Sequence, residues 1–113
     1  MLHQGLTPEH WFKLSLMEQL ANVGTDIERT INWRKRGKKE ASDAAFDRAI
    51  ELLDLTIADP KHKNQGGRLK ELLRVREALA DYFLFDNEYS SSDKLWSDYF
   101  YCYNYAAALE KGR

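Results

Sequence analysis

The chain has 113 residues, of which 43% are hydrophobic and 31% are charged, and its formal net charge is −1 at pH 7. That length gives room for one hydrophobic core, so we predict a single domain over residues 1–113. The near-neutral charge argues against a generally basic nucleic-acid-binding domain, and no run approaches the ~18 apolar residues of a membrane-spanning helix. The single cysteine, Cys102, and the lack of a signal-peptide pattern in residues 1–5 favour a cytoplasmic protein.

The first predicted helix covers residues 8–36 and is the longest. Thr7 and Pro8 form its start signal, because threonine caps free backbone N–H groups and proline suits the first turn. Gly37 is the expected C-terminal cap. The apolar stripe with helical spacing is Phe12, Leu16, Leu20, Val23, Ile27 and Ile31. Gly24 interrupts this helix at a cost of about 1 kcal/mol relative to Ala, and we predict that it lets a neighbouring helix approach closely; a kink is the alternative.

Further helices are predicted at residues 40–58, 68–85 and 93–111, with Asp59-Pro60 ending the first of them. Their expected inward stripes are Phe46, Ile50, Leu53 and Ile57; then Leu69, Leu72, Leu73, Leu79, Ala80 and Phe83; then Trp96, Tyr99, Phe100, Tyr103, Ala106 and Ala107. Four helices joined by three short loops favour an up-down arrangement. The predicted fold class is therefore all-α, a four-helix up-down antiparallel bundle with a long first helix.

The strongest local charge feature is a basic segment that contains no acidic side chain. It consists of Arg29, Arg34, Lys35, Arg36, Lys38 and Lys39, with Trp33 among them. Cations beside an exposed aromatic ring can bind single-stranded nucleic acid, through phosphates and a stacked base. The alternative is a solvated helix end, because the helix dipole stabilises cations there. The bundle topology favours this alternative, since it places Asp86, Glu88 and Asp93 at the same end.

Arg76 occupies the inward stripe of the third predicted helix. We therefore predict a buried ion pair in which the guanidinium is at least half buried, because a buried charge without a partner costs several kcal/mol. The candidate partners are Glu28, Glu51, Asp54 and the tyrosine hydroxyls of the fourth predicted helix. A structural role is the favoured interpretation, and a role in an active site is the alternative.

The segment Arg76-Glu77-Ala78-Leu79-Ala80-Asp81-Tyr82-Phe83 resembles the late-helix signature of the HEPN proteins. These are small helical bundles, often dimeric, and many are RNA-cutting toxins or partners of nucleotidyltransferases. Their motif is an arginine followed four to six residues later by a histidine, often near a tyrosine. Arg76 and Tyr82 match it, but position 81 is Asp and no histidine is present. The resemblance therefore implies a member without RNA-cleaving activity, since the general acid or base is missing.

Ten of the 14 aromatic residues lie within residues 82–105, and those of the fourth predicted helix surround it. A helix that is apolar all round is usually contacted on several sides, which favours a central helix or a subunit interface. Tyr101, Tyr105 and Leu109 share a face away from the predicted core stripe and form the candidate interface. Scattered surface tyrosines and a tyrosine-lined ligand groove are the alternatives.

No pattern for catalysis or for a bound cofactor is apparent. His3, His10 and His62 are far apart, no Glu-x-x-His pair occurs, and Cys102 has no partner for a metal or nucleophile site. We therefore predict no metal, no cofactor and no enzymatic activity. The favoured function is a cytoplasmic helical protein that acts through protein–protein contacts as a homodimer. RNA binding, or a HEPN-like role in RNA processing or in a toxin–antitoxin pair, is the alternative.

Overall fold

The computed structural model describes residues 6–112, and the regular structure in that range is helical throughout. The helices are α1 (Pro8–Phe12), α2 (Leu16–Lys35), α3 (Lys39–Ala58), α4 (Arg68–Leu84) and α5 (Asp93–Lys111), and a 3-10 turn covers Pro60–His62. The prediction of an all-α bundle is confirmed. Within residues 6–112, no helix is both long and apolar enough to span a membrane.

The stretch predicted as one helix over residues 8–36 is divided into α1 and α2. Thr7 caps α1 as predicted, since its side chain accepts from the His10 backbone N–H. Ser15 then caps α2 by accepting from the Glu18 N–H at 3.2 Å, while the Glu18 carboxylate accepts from the Ser15 N–H at 3.1 Å. This capping box starts a new helix of 20 residues. The predicted continuity was wrong because the apolar stripe runs across both helices and obscured the break.

The central helix of the bundle is α2, which packs against α3 on one side and α5 on the other. Its buried stripe of Leu20, Val23, Ile27 and Ile31 agrees with the prediction. A Cβ atom added at Gly24 would lie 2.6 Å from the Phe100 Cβ, so α5 approaches closely at this point. The predicted reason for the glycine is confirmed. For the fourth predicted helix the sequence left two interpretations, a central helix or a subunit interface, and the central position is taken by α2 instead.

Helix α4 is rotated slightly from its predicted orientation. Its buried apolar side chains are Leu72, Val75 and Leu79, whereas Leu73 is exposed. Successive residues of a helix are about 100° apart, so neighbours such as Leu72 and Leu73 cannot both face one contact surface. Helix α4 makes its closest backbone approach to α3, and in this orientation Leu72 is buried while Leu73 is exposed.

Candidate functional site

The predicted interface lies on the outer face of α5. Tyr101, Tyr105 and Leu109 are 66%, 59% and 49% exposed, respectively. The spacing of four residues places them in one row along the helix. The opposite face of α5 is buried in the bundle through Trp96 and Phe100. The aromatic residues of α5 therefore divide into a core face and a row open to solvent.

The core face of α5 is an aromatic cluster. The Trp96 and Phe100 rings stack at 6.0 Å, and Tyr99 meets the two rings edge-on at 5.6 and 5.0 Å. Burial, and next the hydrogen bond with Tyr103, raise the pKa of Tyr99 well above its usual range. Tyr99 therefore stays protonated at physiological pH and acts here as a packing residue. This cluster fixes the rotation of α5 and so determines which residues form the exposed row.

The basic segment lies at the C-terminal end of α2 and in the turn to α3, and several of its cations have partners within the chain. Arg29 pairs with Asp26 at 3.1 Å, and Lys39 pairs with Asp43 at 2.8 Å. The guanidinium carbon of Arg36 lies 5.5 Å from the centre of the Trp33 ring. Cations held in this way attract phosphates less strongly, because their charge is already partly compensated.

Arg34 has a different environment, because it lies over two aromatic rings at the edge of a cleft. Its guanidinium carbon is 5.0 Å from the centre of the Tyr82 ring and 5.3 Å from that of Phe83. The cleft has a volume of about 230 Å³, and Arg34 lines it together with Lys39 and Phe83. Phe85, the residue after α4, is 72% exposed. Cations and aromatic side chains are thus combined at this end of the bundle.

Arg76 pairs with Asp54 of α3, one of the predicted partners. Its Nε atom lies 2.6 Å from Oδ1, and its Nη2 atom lies 3.4 Å from Oδ2. The two side chains are 41% and 50% exposed, so the ion pair lies at the surface of the bundle. The Arg76 side chain is thus slightly more than half buried, as predicted, but it is not enclosed, because Val75 takes the inward position between Leu72 and Leu79. A pair with this exposure contributes little to stability.

Asp81 occupies the position at which the HEPN motif can have its histidine, and it stabilises the loop between α4 and α5. Its buried carboxylate accepts hydrogen bonds from the backbone N–H groups of Glu88 and Tyr89 at 2.8 and 3.0 Å. The next residue, Tyr82, donates its hydroxyl to Asp93 at 2.8 Å. Both side chains therefore attach α4 to the chain that follows it.

A buried polar cluster that was not predicted from the sequence lies at the opposite end of the bundle. The Gln19 amide nitrogen donates to the Trp11 carbonyl at 3.1 Å and to Asp59 Oδ2 at 2.8 Å. The Trp11 indole donates to the Thr56 hydroxyl at 3.0 Å. Burial raises the pKa of Asp59, but hydrogen bonds from Lys61 and Gln19 outweigh it and hold that pKa below its usual range. These contacts attach α1 to α2 and to the end of α3.

His62 belongs to the same cluster and is completely buried, although it lies between the predicted helices at residues 40–58 and 68–85. Its Nε2 atom lies 2.7 Å from Gln19 Oε1, and its Nδ1 atom lies 3.1 Å from Arg68 Nη1. Its partners lie on α2 and at the start of α4. The only local signal was a capping aspartate, Asp59, before Pro60, which accepts from the Lys61 N–H and begins the 3-10 turn.

Residues 6–112 contain no group of three His, Cys, Asp or Glu side chains that could hold a metal ion. His3 and the rest of residues 1–5 lie outside the described part of the chain. No family model matches this sequence, and neither the curated proteins nor the solved structures include a match. The resemblance of residues 76–83 to HEPN proteins therefore stays a prediction.

Proposed function

We propose that the protein is a non-enzymatic helical module that acts through protein–protein contact, and that its partner is a second copy of this chain docked on the outer face of α5. The observation that carries the proposal is the exposed row of Tyr101, Tyr105 and Leu109. Tyrosine is enriched at interfaces, since its ring supplies apolar area and its hydroxyl tolerates water. The single, exposed Cys102 fits a reducing, cytoplasmic location.

The polar surroundings of this row support its use by a second copy. Lys94 and Asp98 pair at 2.5 Å near the N-terminal end of the same face, and such a polar rim beside an apolar centre is typical of interfaces. A two-fold axis across α5 would bring the row of one copy against the row of the other, in the isologous arrangement of most homodimers. The antiparallel helices would also oppose their dipoles favourably.

The available area also fits a dimer. A stable interface buries about 800 Å² per partner. This is roughly a ninth of the solvent-accessible surface of the monomer, which is 7263 Å². Helix α5 has 19 residues and is therefore about 28 Å long. A groove between α5 and the start of α2, lined by Met17, Ala106 and Leu109, adjoins the row and would extend the contact beyond the three side chains.

The test compares the oligomeric state of the parent protein with that of a double variant, Tyr101→Glu with Tyr105→Glu. Sedimentation velocity at tens of micromolar should give a dimer for the parent and a monomer for the variant, because four carboxylates would meet in the interface. The matched control is Leu84→Glu with Phe85→Glu, which adds the same charge at exposed positions away from α5. The control should remain dimeric. A monomeric parent protein, or dimeric double variant, would contradict the proposal.

A second candidate function is binding of single-stranded RNA at the cleft beside Arg34, as in a HEPN-like component of RNA processing. The observation that favours it is the stacking of Arg34 on Tyr82 and Phe83, at the end of the bundle where the side chain of Phe85 is exposed. Bases can stack on such aromatic side chains while nearby cations contact phosphates. The missing motif histidine makes this candidate a binding protein without RNA-cleaving activity.

RNA binding is tested by titration of labelled single-stranded RNA at two salt concentrations. If phosphates are engaged, affinity should fall steeply with added salt, and Lys35→Gln with Lys38→Gln should weaken binding. The control pair is Lys63→Gln with Lys70→Gln, which lies at the other end of the bundle. Absence of binding at about 50 mM salt removes this candidate, since phosphate contacts are strongest at low ionic strength.

A further inference from the structure

The tautomer of the buried His62 is determined by its two hydrogen-bond partners, Gln19 and Arg68. The Gln19 amide nitrogen already donates to Trp11 and Asp59, so the atom that Gln19 presents to His62 is the acceptor Oε1. His62 Nε2 must therefore carry the hydrogen. Arg68 has donors only, so His62 Nδ1 must be the acceptor of the Arg68 hydrogen bond. The ring is thus neutral, with its hydrogen on Nε2.

Each element that contacts the His62 ring contributes either a charged group or a neutral polar group. Asp59 Oδ2 lies 3.9 Å from Nε2, and Lys61 is bound to that carboxylate. The start of α4 contributes the cation Arg68, whereas α2 contributes the neutral Gln19. The nearby polar groups of α1 and α3 are the Trp11 carbonyl and the Thr56 hydroxyl, both neutral. The single carboxylate is thus opposed by two cations.

We propose that His62 is a proton-sensitive latch at the joint between α3 and α4. A proton from solvent that binds Nδ1 would remove the acceptor for Arg68 and bring two cations into contact at the present separation of 3.1 Å. Relief requires the 3-10 turn and the start of α4 to separate. Because Gln19 joins His62 to Trp11 and Asp59, opening of this joint would also loosen the attachment of α1.

The direction of the pH dependence follows from the same contacts. Burial lowers the pKa of His62; the Asp59 carboxylate opposes this effect, and Arg68 and Lys61 add to it, so the folded pKa lies below the ordinary value of 6.5. The unfolded chain therefore takes up a proton at a higher pH than the folded chain. The contribution of neutral His62 to the free energy of unfolding is fully present above pH 6.5. It declines as the pH falls from 6.5 towards the pKa of His62 in the folded chain. In that window the unfolding constant rises by up to about tenfold per pH unit.

The test combines NMR titration with amide hydrogen exchange on the full chain. The ring nitrogens of His62 should show the Nε2–H form at neutral pH, and the native ring should titrate below pH 6.5. After correction for the intrinsic rate, exchange of the amides of the 3-10 turn should accelerate as the pH falls from 6.5 towards the folded pKa of His62, in the window given by the linkage relation. Amides in the middle of α5 should not change in the same range.

Two variants separate the latch from general acid sensitivity. Arg68→Gln removes the opposing cation, so the His62 pKa should rise towards 6.5 and the acid-induced acceleration should shrink. His62→Gln should abolish the acceleration, whereas His10→Gln, at an exposed position of α1, should behave as the parent protein. If His62→Gln does not fold, the His62 pKa measured in Arg68→Gln still tests the proposal. A native Nδ1–H form, a native pKa at or above 6.5, or an unchanged His62 pKa in Arg68→Gln would overturn the proposal.

Discussion

Replacement of Gly24 by alanine should destabilise the protein, although alanine is the better helix former. The added Cβ would lie 2.6 Å from the Phe100 Cβ and 2.9 Å from its Cγ. A Cβ atom moves only with its backbone, so a change of the Phe100 rotamer cannot relieve the contact. Helices α2 and α5 would have to separate, and with them the packing of the aromatic cluster on α5.

The magnitude follows from two opposing effects. Alanine gains about 1 kcal/mol in helix propensity over glycine, and overpacking of a core costs about 1–3 kcal/mol. We expect the cost to lie in the upper half of that range, because the backbone must move. The free energy of unfolding of Gly24→Ala should therefore fall by about 1–2 kcal/mol, which corresponds to a loss of several degrees in Tm.

Urea unfolding followed by circular dichroism measures this difference. The matched control is Thr25→Ala, at the next, exposed position of α2, where the same helix former replaces a larger side chain and therefore adds no atom against a neighbouring helix. Thr25→Ala should leave the stability unchanged or slightly raised. A Gly24→Ala protein as stable as the parent, with the same dependence on urea, would refute the close-approach argument.

The remaining predictions concern two polar contacts. Arg76→Ala should reduce the free energy of unfolding by about 1 kcal/mol or less, because the pair with Asp54 is half exposed; a double-mutant cycle with Asp54→Ala measures the coupling, and a loss of several kcal/mol would contradict the surface assignment. Asp81→Ala should cost about 1–3 kcal/mol, because two backbone N–H groups lose their acceptor. Faster amide exchange at Glu88 and Tyr89 would locate that effect, and exchange rates equal to those of the parent would refute it.

The candidate surfaces were accessible to sequence reasoning to different degrees. The row of Tyr101, Tyr105 and Leu109 follows from helical spacing alone, and its exposure in the structure agrees with that spacing. The basic segment was also recognised, but its partners were not, since the contacts of Arg34 with Tyr82 and Phe83 join helices far apart in the sequence. Local spacing shows which residues share a face, but it does not show which neighbouring element that face meets.

The sequence by itself determined the helical class and, to within one residue at each end, the extents of α3, α4 and α5, because apolar spacing and caps act through local geometry. The lone Gly24 predicted a close approach, with a kink as the alternative, and the packing of α5 decided between them. The tertiary structure decided the rotation of α4, which buries Val75 and leaves Arg76 at the surface. It also decided the burial of His62 by Gln19, which lies 43 positions away in the chain. Polar residues carry no periodic signal of burial. Their environment depends on partners that only the packing of whole helices brings together.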